Sequence, residues 1–182
     1  MTAARPPAPP AEAARVQLCT FRIGGEDYAL DIMRVKEIIQ PQPITPVPRA
    51  PSFVEGVVRL RGEVIPVVDV RKRFGLSATP ATRKTKFLVV QVGARRLGLV
   101  VDEVCEVLRL ARADIRPPPL LVGLDGPRFF LGVCGGDVSG GGRRGASAGR
   151  MRLLLNVKAL LDPAQPGEAE AARALAEASR HA

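Results

Sequence analysis

A chain of 182 residues, 46% hydrophobic and 25% charged, is long enough to bury roughly 70% of its unfolded surface in one domain or two small ones. Wholesale disorder is excluded, and so is a helical membrane span: apolar runs such as Phe87 to Val92 are cut by Gln91, Gly93 and Arg95, well short of the ~18 residues required. The net charge of +9 raises a nucleic-acid reading, but the basic residues are spread along the whole chain and aromatics are only 4%, with no tryptophan, where single-strand binding needs exposed rings beside a basic stripe.

Residues 1–15 form a low-complexity Ala/Pro tail whose Pro6, Pro7, Pro9 and Pro10 favour extended, unpacked chain. The tail lacks the apolar centre of a secretory signal, so a cytoplasmic location is the expectation. From Val16 the pattern changes to short β-like runs punctuated by glycine: Val16 to Ile23, a Gly24-Gly25 turn, Tyr28 to Leu30, Val57 to Leu60, a turn at Arg61-Gly62-Glu63, and Ile65 to Val68. Asp69 then reads as an N-cap for one or two helical turns over Val70 to Phe74, stopped by Gly75. At the far end Glu168 to Arg180 has the Ala/Glu/Arg composition of a loosely docked helix.

The second half repeats the first. Gly24 falls on Gly93, Tyr28-Ala29-Leu30 on Leu97-Gly98-Leu99, and Val35-Lys36-Glu37-Ile38 on Val104-Cys105-Glu106-Val107. Further on, Gly56 falls on Gly132 and Val67-Val68-Asp69-Val70 on Leu154-Leu155-Asn156-Val157. The offset grows along the chain, which places insertions in the middle connection and in the last hairpin, where Gly136 to Gly149 replaces a tight turn. A unit of about five short strands is too small for an extended sheet, so each copy is expected to curl into a small antiparallel barrel that hides its edges. The expected fold is all-β: two five-stranded barrels with short helical turns, subdomain one at about 16–76 and subdomain two at about 85–162, followed by a tail at 163–182.

Catalytic and metal chemistry finds little material. The lone histidine, His181, sits one residue from the C-terminus, so His-based nucleophilic or metal sites have no histidine in the folded core. Cys19, Cys105 and Cys134 show no ligand-pair spacing and read as buried filler in a reducing compartment. The string Gly140 to Gly145 satisfies G-x-G-x-x-G but precedes a strand, where a phosphate cradle needs a helix. No enzyme activity, metal or cofactor is expected.

With the repeat established, the stretches Phe21 to Ile32, Val35 to Ile38 and Gly56 to Arg71 resemble the CheW-like domain family of bacterial chemotaxis. The likeness continues through Gly98 to Val104, Ile115-Arg116-Pro117-Pro118 and Leu154 to Val157, and so spans Val16 to Leu161. The resemblance implies two SH3-like five-stranded barrels. It also implies a non-catalytic adaptor that joins the cytoplasmic tips of chemoreceptors to the regulatory domain of a CheA-type histidine kinase, recruited to membrane receptor arrays without inserting in the bilayer. Two departures from the family pattern lie in the second half: the long, basic Gly136 to Gly149 segment, and Asn156 where aspartate is common.

The partner-binding candidates are Val35, Glu37, Gly56, Arg61 and Gly62. Gly62 as the first central residue of a type II′ hairpin turn puts Arg61 at the barrel rim, where it reads as a solvated turn arginine or, with the resemblance, as a partner contact. Val35 and Glu37, two apart on an extended strand, share one face, though Val104 and Glu106 repeat the pattern and packing alone could preserve it. Gly56, like Gly132, permits close backbone approach. The rival reading is a small-barrel nucleic-acid-binding protein using the +9 charge and Arg143, Arg144, Arg150 and Arg152, for which salt-sensitive binding is the signature; on the preferred reading no nucleic acid is bound.

Overall fold

The structure is a computed structural model that describes residues 15–77, 79–118, 129–135 and 150–161. Residues 1–14 of the Ala/Pro tail, the G-x-G-x-x-G string within the Gly136 to Gly149 insertion, and the Ala/Glu/Arg-rich C-terminal stretch lie outside the described residues, whereas Arg15, expected in the tail, begins the first strand. The first half runs β1 (Arg15–Ile23), β2 (Glu26–Asp31), a 3-10 turn at Ile32–Arg34, β3 (Val35–Ile39), β4 (Val54–Leu60), β5 (Glu63–Asp69) and α1 (Val70–Arg73). The second half runs β6 (Lys86–Val92), β7 (Arg95–Val101), β8 (Glu103–Ala111), a 3-10 turn at Arg112–Asp114, β9 (Phe130–Gly135), β10 (Met151–Leu155) and α2 (Val157–Leu160). Each copy is therefore five strands closed by one helical turn. The Asp69 carboxylate accepts from the Arg71 amide as the expected N-cap, and Gly75 ends the turn with φ of +70°.

The ten strands form two five-stranded sheets, but the sheets do not follow the halves of the chain. One has the order β8-β1-β2-β10-β9 and the other β3-β6-β7-β5-β4. Numbered within its own repeat, each sheet reads third, first, second, fifth, fourth, with the first two strands from one copy and the other three from its twin. Division into separate barrels at about 16–76 and 85–162 is thus corrected to an exchange: each half gives two strands to one sheet and three to the other. The copies meet at four pairings: two antiparallel, β1 with β8 and β3 with β6, and two parallel, β2 with β10 (Tyr28 opposite Leu153) and β5 with β7 (Val68 opposite Leu99). A repeat in sequence establishes which strands are equivalent and leaves open which copy each one pairs with.

Side-chain alternation explains why this arrangement is stable. On β6, Phe87 and Val89 point into a cluster with Val58, Leu60, Ile65, Val67 and Val100, inside the sheet that holds β3 to β7. Leu88 and Val90, on the opposite face, enter a central core shared with Phe21, Ile23, Tyr28 and Leu30 from the other sheet. The other sheet curls around its own small cluster of Leu18, Ala29, Cys134 and Leu154. Strands β1, β2, β6 and β7 are therefore apolar on both faces and lie between two apolar layers. The central cluster is the largest of the three, and each fully buried Leu, Ile, Val or Phe in it contributes about 1.5–3 kcal/mol, so the two sheets hold together as one body.

The repeat extends to details that alternation alone does not dictate. Thr45 bridges Val57 beside β4, and Arg116 bridges Val133 beside β9, each by two backbone hydrogen bonds of 2.8–2.9 Å. A Cβ on Gly56 would stand 2.2 Å from the Thr45 carbonyl oxygen, and one on Gly132 would stand 2.7 Å from that of Arg116. Both glycines are thus required by close backbone approach, as their shared position in the repeat suggests. The cysteines do not behave alike: Cys19 and Cys134 are buried, whereas Cys105 is exposed, because the repeat gives it the place of the exposed Lys36.

Candidate partner-binding face

Glu37 on β3 and Arg61 in the β4–β5 turn meet in an ion pair, Arg61 Nε and Nη2 lying 3.3 and 3.2 Å from Glu37 Oε2. Because β3 and β4 are the two outer strands of their sheet, the pair ties one margin to the turn at the other and closes the barrel mouth. Leu60 stands opposite Glu63, so the turn residues are Arg61 and Gly62, with φ of +52° and +88°. This is a type I′ turn with Arg61 at its first central position, not the expected type II′ turn beginning at Gly62. Two-residue hairpins need a turn whose twist matches the strands, and with a non-glycine residue first, I′ meets that need at a conformational cost on the arginine. The Arg61 side chain remains 75% exposed.

Val35 and Glu37 do not share a face. A bulge between them sets Val35 opposite Val90 and Glu37 opposite Val89, and those neighbours point to opposite sides of the sheet. Val35 packs at the margin of the central core, while Glu37 turns to the mouth where Arg61 waits. The same irregularity recurs in the second copy between Cys19 and Phe21 against β8. There Glu106 meets Arg152 at 3.2 Å, again joining an outer strand to the hairpin of its own sheet, with the arginine now buried. Of the five candidate residues the structure brings Glu37, Arg61 and Gly62 together; Val35 and Gly56 are half-buried and buried, respectively, away from that cluster.

A second electrostatic feature gave no signal in the sequence. Arg71, one position inside α1, is buried and grips Asp69 with Nε and Nη2 at 3.1 and 3.0 Å, while Nη1 reaches Asp102 at 3.1 Å and Thr79. The other Asp102 oxygen accepts from the Gly24 amide at 2.7 Å. Asp102 stands between β7 and β8, where the chain passes from one sheet to the other, so this network binds the β1–β2 turn of one sheet to the helix that follows β5 of the other. Hydrogen bonding to Asp69 raises the Arg71 pKa above the ordinary arginine range, against the opposing effect of burial, and the guanidinium stays charged.

Burial, chiefly, raises the thiol pKa values of Cys19, Cys105 and Cys134 above the ordinary 9.0, so none is a thiolate at neutral pH. Among the described residues no cluster of three His, Cys, Asp or Glu side chains could hold a metal ion, and no helix is long and apolar enough to cross a membrane. Among the described residues several further basic side chains pair with acids: Arg22 with Asp27 and Glu103, Lys84 with Glu103, Lys72 with Glu55, Arg96 with Glu63, and Arg150 with Asp27.

Two five-stranded sheets made by duplication, exchanged between copies and joined through one apolar core, define an all-β module of paired SH3-like barrels. The chain belongs to the CheW-like domain family, whose sequence profile matches residues 17–165. It is similar to the chemotaxis protein CheW of Rhizobium meliloti, 42% identical over 103 residues covering 57% of this chain and 66% of that protein. It is also similar to CheW of Treponema pallidum, 36% identical over 121 residues (64% and 71% of the two chains), and to CheW of Klebsiella aerogenes, 32% identical over 141 residues (78% of each). The crystal structure of a scaffolding protein, TtCheW from Thermoanaerobacter tengcongensis, matches with a TM-score of 0.71 at 28% identity, covering 83% of this chain and 95% of that one.

Proposed function

We propose that this protein is a non-catalytic chemotaxis scaffold that couples the cytoplasmic tips of chemoreceptors to the regulatory domain of a CheA-type histidine kinase. It works in the cytoplasm and is recruited to receptor arrays through those partners. The observation that carries the reading is the family match over residues 17–165, which takes in both barrels and the strained rim turn at Arg61 and Gly62. Two barrels fixed to one core supply two faces whose separation does not change, which is what a coupling element needs in order to hold two partners in register.

On this reading Arg61 supplies a contact at the rim of the first barrel. Its planar donors suit a carboxylate on a partner, and its existing bond to Glu37 presets the side chain. Titration calorimetry of the protein against the kinase regulatory domain and against receptor signalling fragments tests the role. Arg61→Ala is expected to weaken one of these at least tenfold, a loss of about 1.4 kcal/mol, and to leave the melting curve within a degree or two, since an exposed ion pair contributes about 0–1 kcal/mol. Unchanged affinity for both partners would make Arg61 a mere barrel clasp.

A further inference from the structure

Among the described residues only two that are not glycine have φ in the left-handed region, and both are arginines beside β4: Arg61 in the turn after it and Arg49, at +60°, in the connection before it. Arg49 lies in a turn closed by the Ala50 amide on the Val47 carbonyl at 3.3 Å. With Pro48 at the first central position and a positive φ at the second, this is the type II pattern that glycine or asparagine occupies without strain. Arginine there carries a conformational cost. Nothing in the described fold repays it, since Arg49 is exposed and makes no ion pair or side-chain hydrogen bond among the described residues.

The surroundings supply no acid for it. Glu37, Glu55 and Glu63 are engaged by Arg61, Lys72 and Arg96. Arg59, exposed on β4, makes no ion pair among the described residues either. The Thr45–Val57 bridge is antiparallel, so the chain after Thr45 runs back beside β4 and leaves Arg49 near the Val54 end, with Arg59 and Arg61 near the other. At ~3.3 Å per residue the strip between them is roughly 20 Å long. Half-buried Val57, Val64 and Pro66 lie along it, paired across β4 and β5 as Val57 with Pro66 and Arg59 with Val64.

We propose that Arg49 and Arg59 extend the Arg61 contact into one recognition strip along β4 that takes a carboxylate-bearing protein face. The inference rests on the scaffold reading above. Apolar side chains between the cations favour a protein surface over a nucleic acid, since Val57, Val64 and Pro66 offer no aromatic ring to stack on a base.

The test uses the full chain with Arg49→Asn, Arg49→Glu and Arg59→Glu, titrated at low and moderate salt against the kinase regulatory domain and the receptor fragments, alongside thermal melts. Arg49→Asn relieves the strained backbone, so it is expected to hold or raise the melting temperature while weakening one partner at least threefold. The two charge reversals are expected to weaken that same partner at least tenfold and to flatten its salt dependence. Wild-type affinity for both partners in all three variants would overturn the strip and leave the scaffold role standing. A lower melting temperature for Arg49→Asn would overturn it by making Arg49 a loop brace. Wild-type protein that binds neither partner would overturn the scaffold reading and the strip with it, and loss of duplex DNA binding in these variants without loss of partner binding would assign the arginines to phosphate instead.

Discussion

Arg71→Ala is the substitution for which the structure gives the largest expected effect. It removes a guanidinium whose side chain is 6% exposed and leaves Asp69, 5% exposed, and Asp102 facing each other without their shared cation. Breaking a buried ion pair by deleting one partner costs about 3–5 kcal/mol, because the orphaned charge cannot recover its hydration. Against a total stability of about 5–15 kcal/mol that is a large fraction, and for a chain of this size each kcal/mol moves the melting temperature by roughly 2–4 °C. The expected drop is on the order of 10 °C by calorimetry or circular dichroism, little changed by added salt because the site is screened from solvent. Arg61→Ala, whose pair with Glu37 is exposed, is the internal control and is expected to move it by no more than a degree or two. A fall of less than about 3 °C for Arg71→Ala would refute the claim that the Asp69–Arg71–Asp102 network holds the two sheets together.

Gly56→Ala is expected to cost about 2–4 kcal/mol in denaturant unfolding, from a contact with the Thr45 carbonyl and a φ of +142°; Gly132→Ala, which has the contact without the positive φ, is expected to cost less, and equal costs would count against the backbone argument. Because each sheet takes strands from both halves, residues 15–77 and 79–161 made separately are expected to show no cooperative melt and to regain one on mixing; a half that melts cooperatively alone would contradict the exchange. Native protein treated with iodoacetamide is expected to be modified at Cys105 and spared at buried Cys19 and Cys134. Raised thiol and Tyr28 pKa values mean the folded state prefers the neutral forms, so their stabilisation is full below the ordinary values of 9.0 and 10.0 and is lost as pH rises above them. Urea midpoints that fall between pH 8 and pH 11 would bear this out, and a flat profile would not.

The hairpins, the Asp69 cap and the duplication were legible because each is written in local chemistry: paired glycines at turns, an acid before a short helix, glycines wherever backbone crowds backbone. The strand exchange was not, since equivalent strands carry equivalent apolar patterns and either copy satisfies the sheet. The β3 bulge escaped for a related reason. Alternation in Val35-Lys36-Glu37 reads as a regular strand, and only its register against Val90 and Val89 reveals the extra residue that sends Glu37 to Arg61. An arginine followed by glycine fits both the type I′ and the type II′ turn, and only the pairing of Leu60 with Glu63 decides between them. Arg71 gave no sign of burial in its Val-Arg-Lys-Arg context, because its acid partners come from positions two and 31 residues away.

The coupling role is tested most directly by reconstitution: a CheA-type kinase, receptor signalling fragments and labelled ATP, with and without this protein. The account predicts that kinase phosphorylation becomes receptor-dependent only when the protein is present, that the Arg61→Ala variant restores much less of that dependence, and that the protein alone turns over no ATP. Kinase activity that is the same with and without the protein, under conditions where receptor fragments and kinase are each competent, would contradict it.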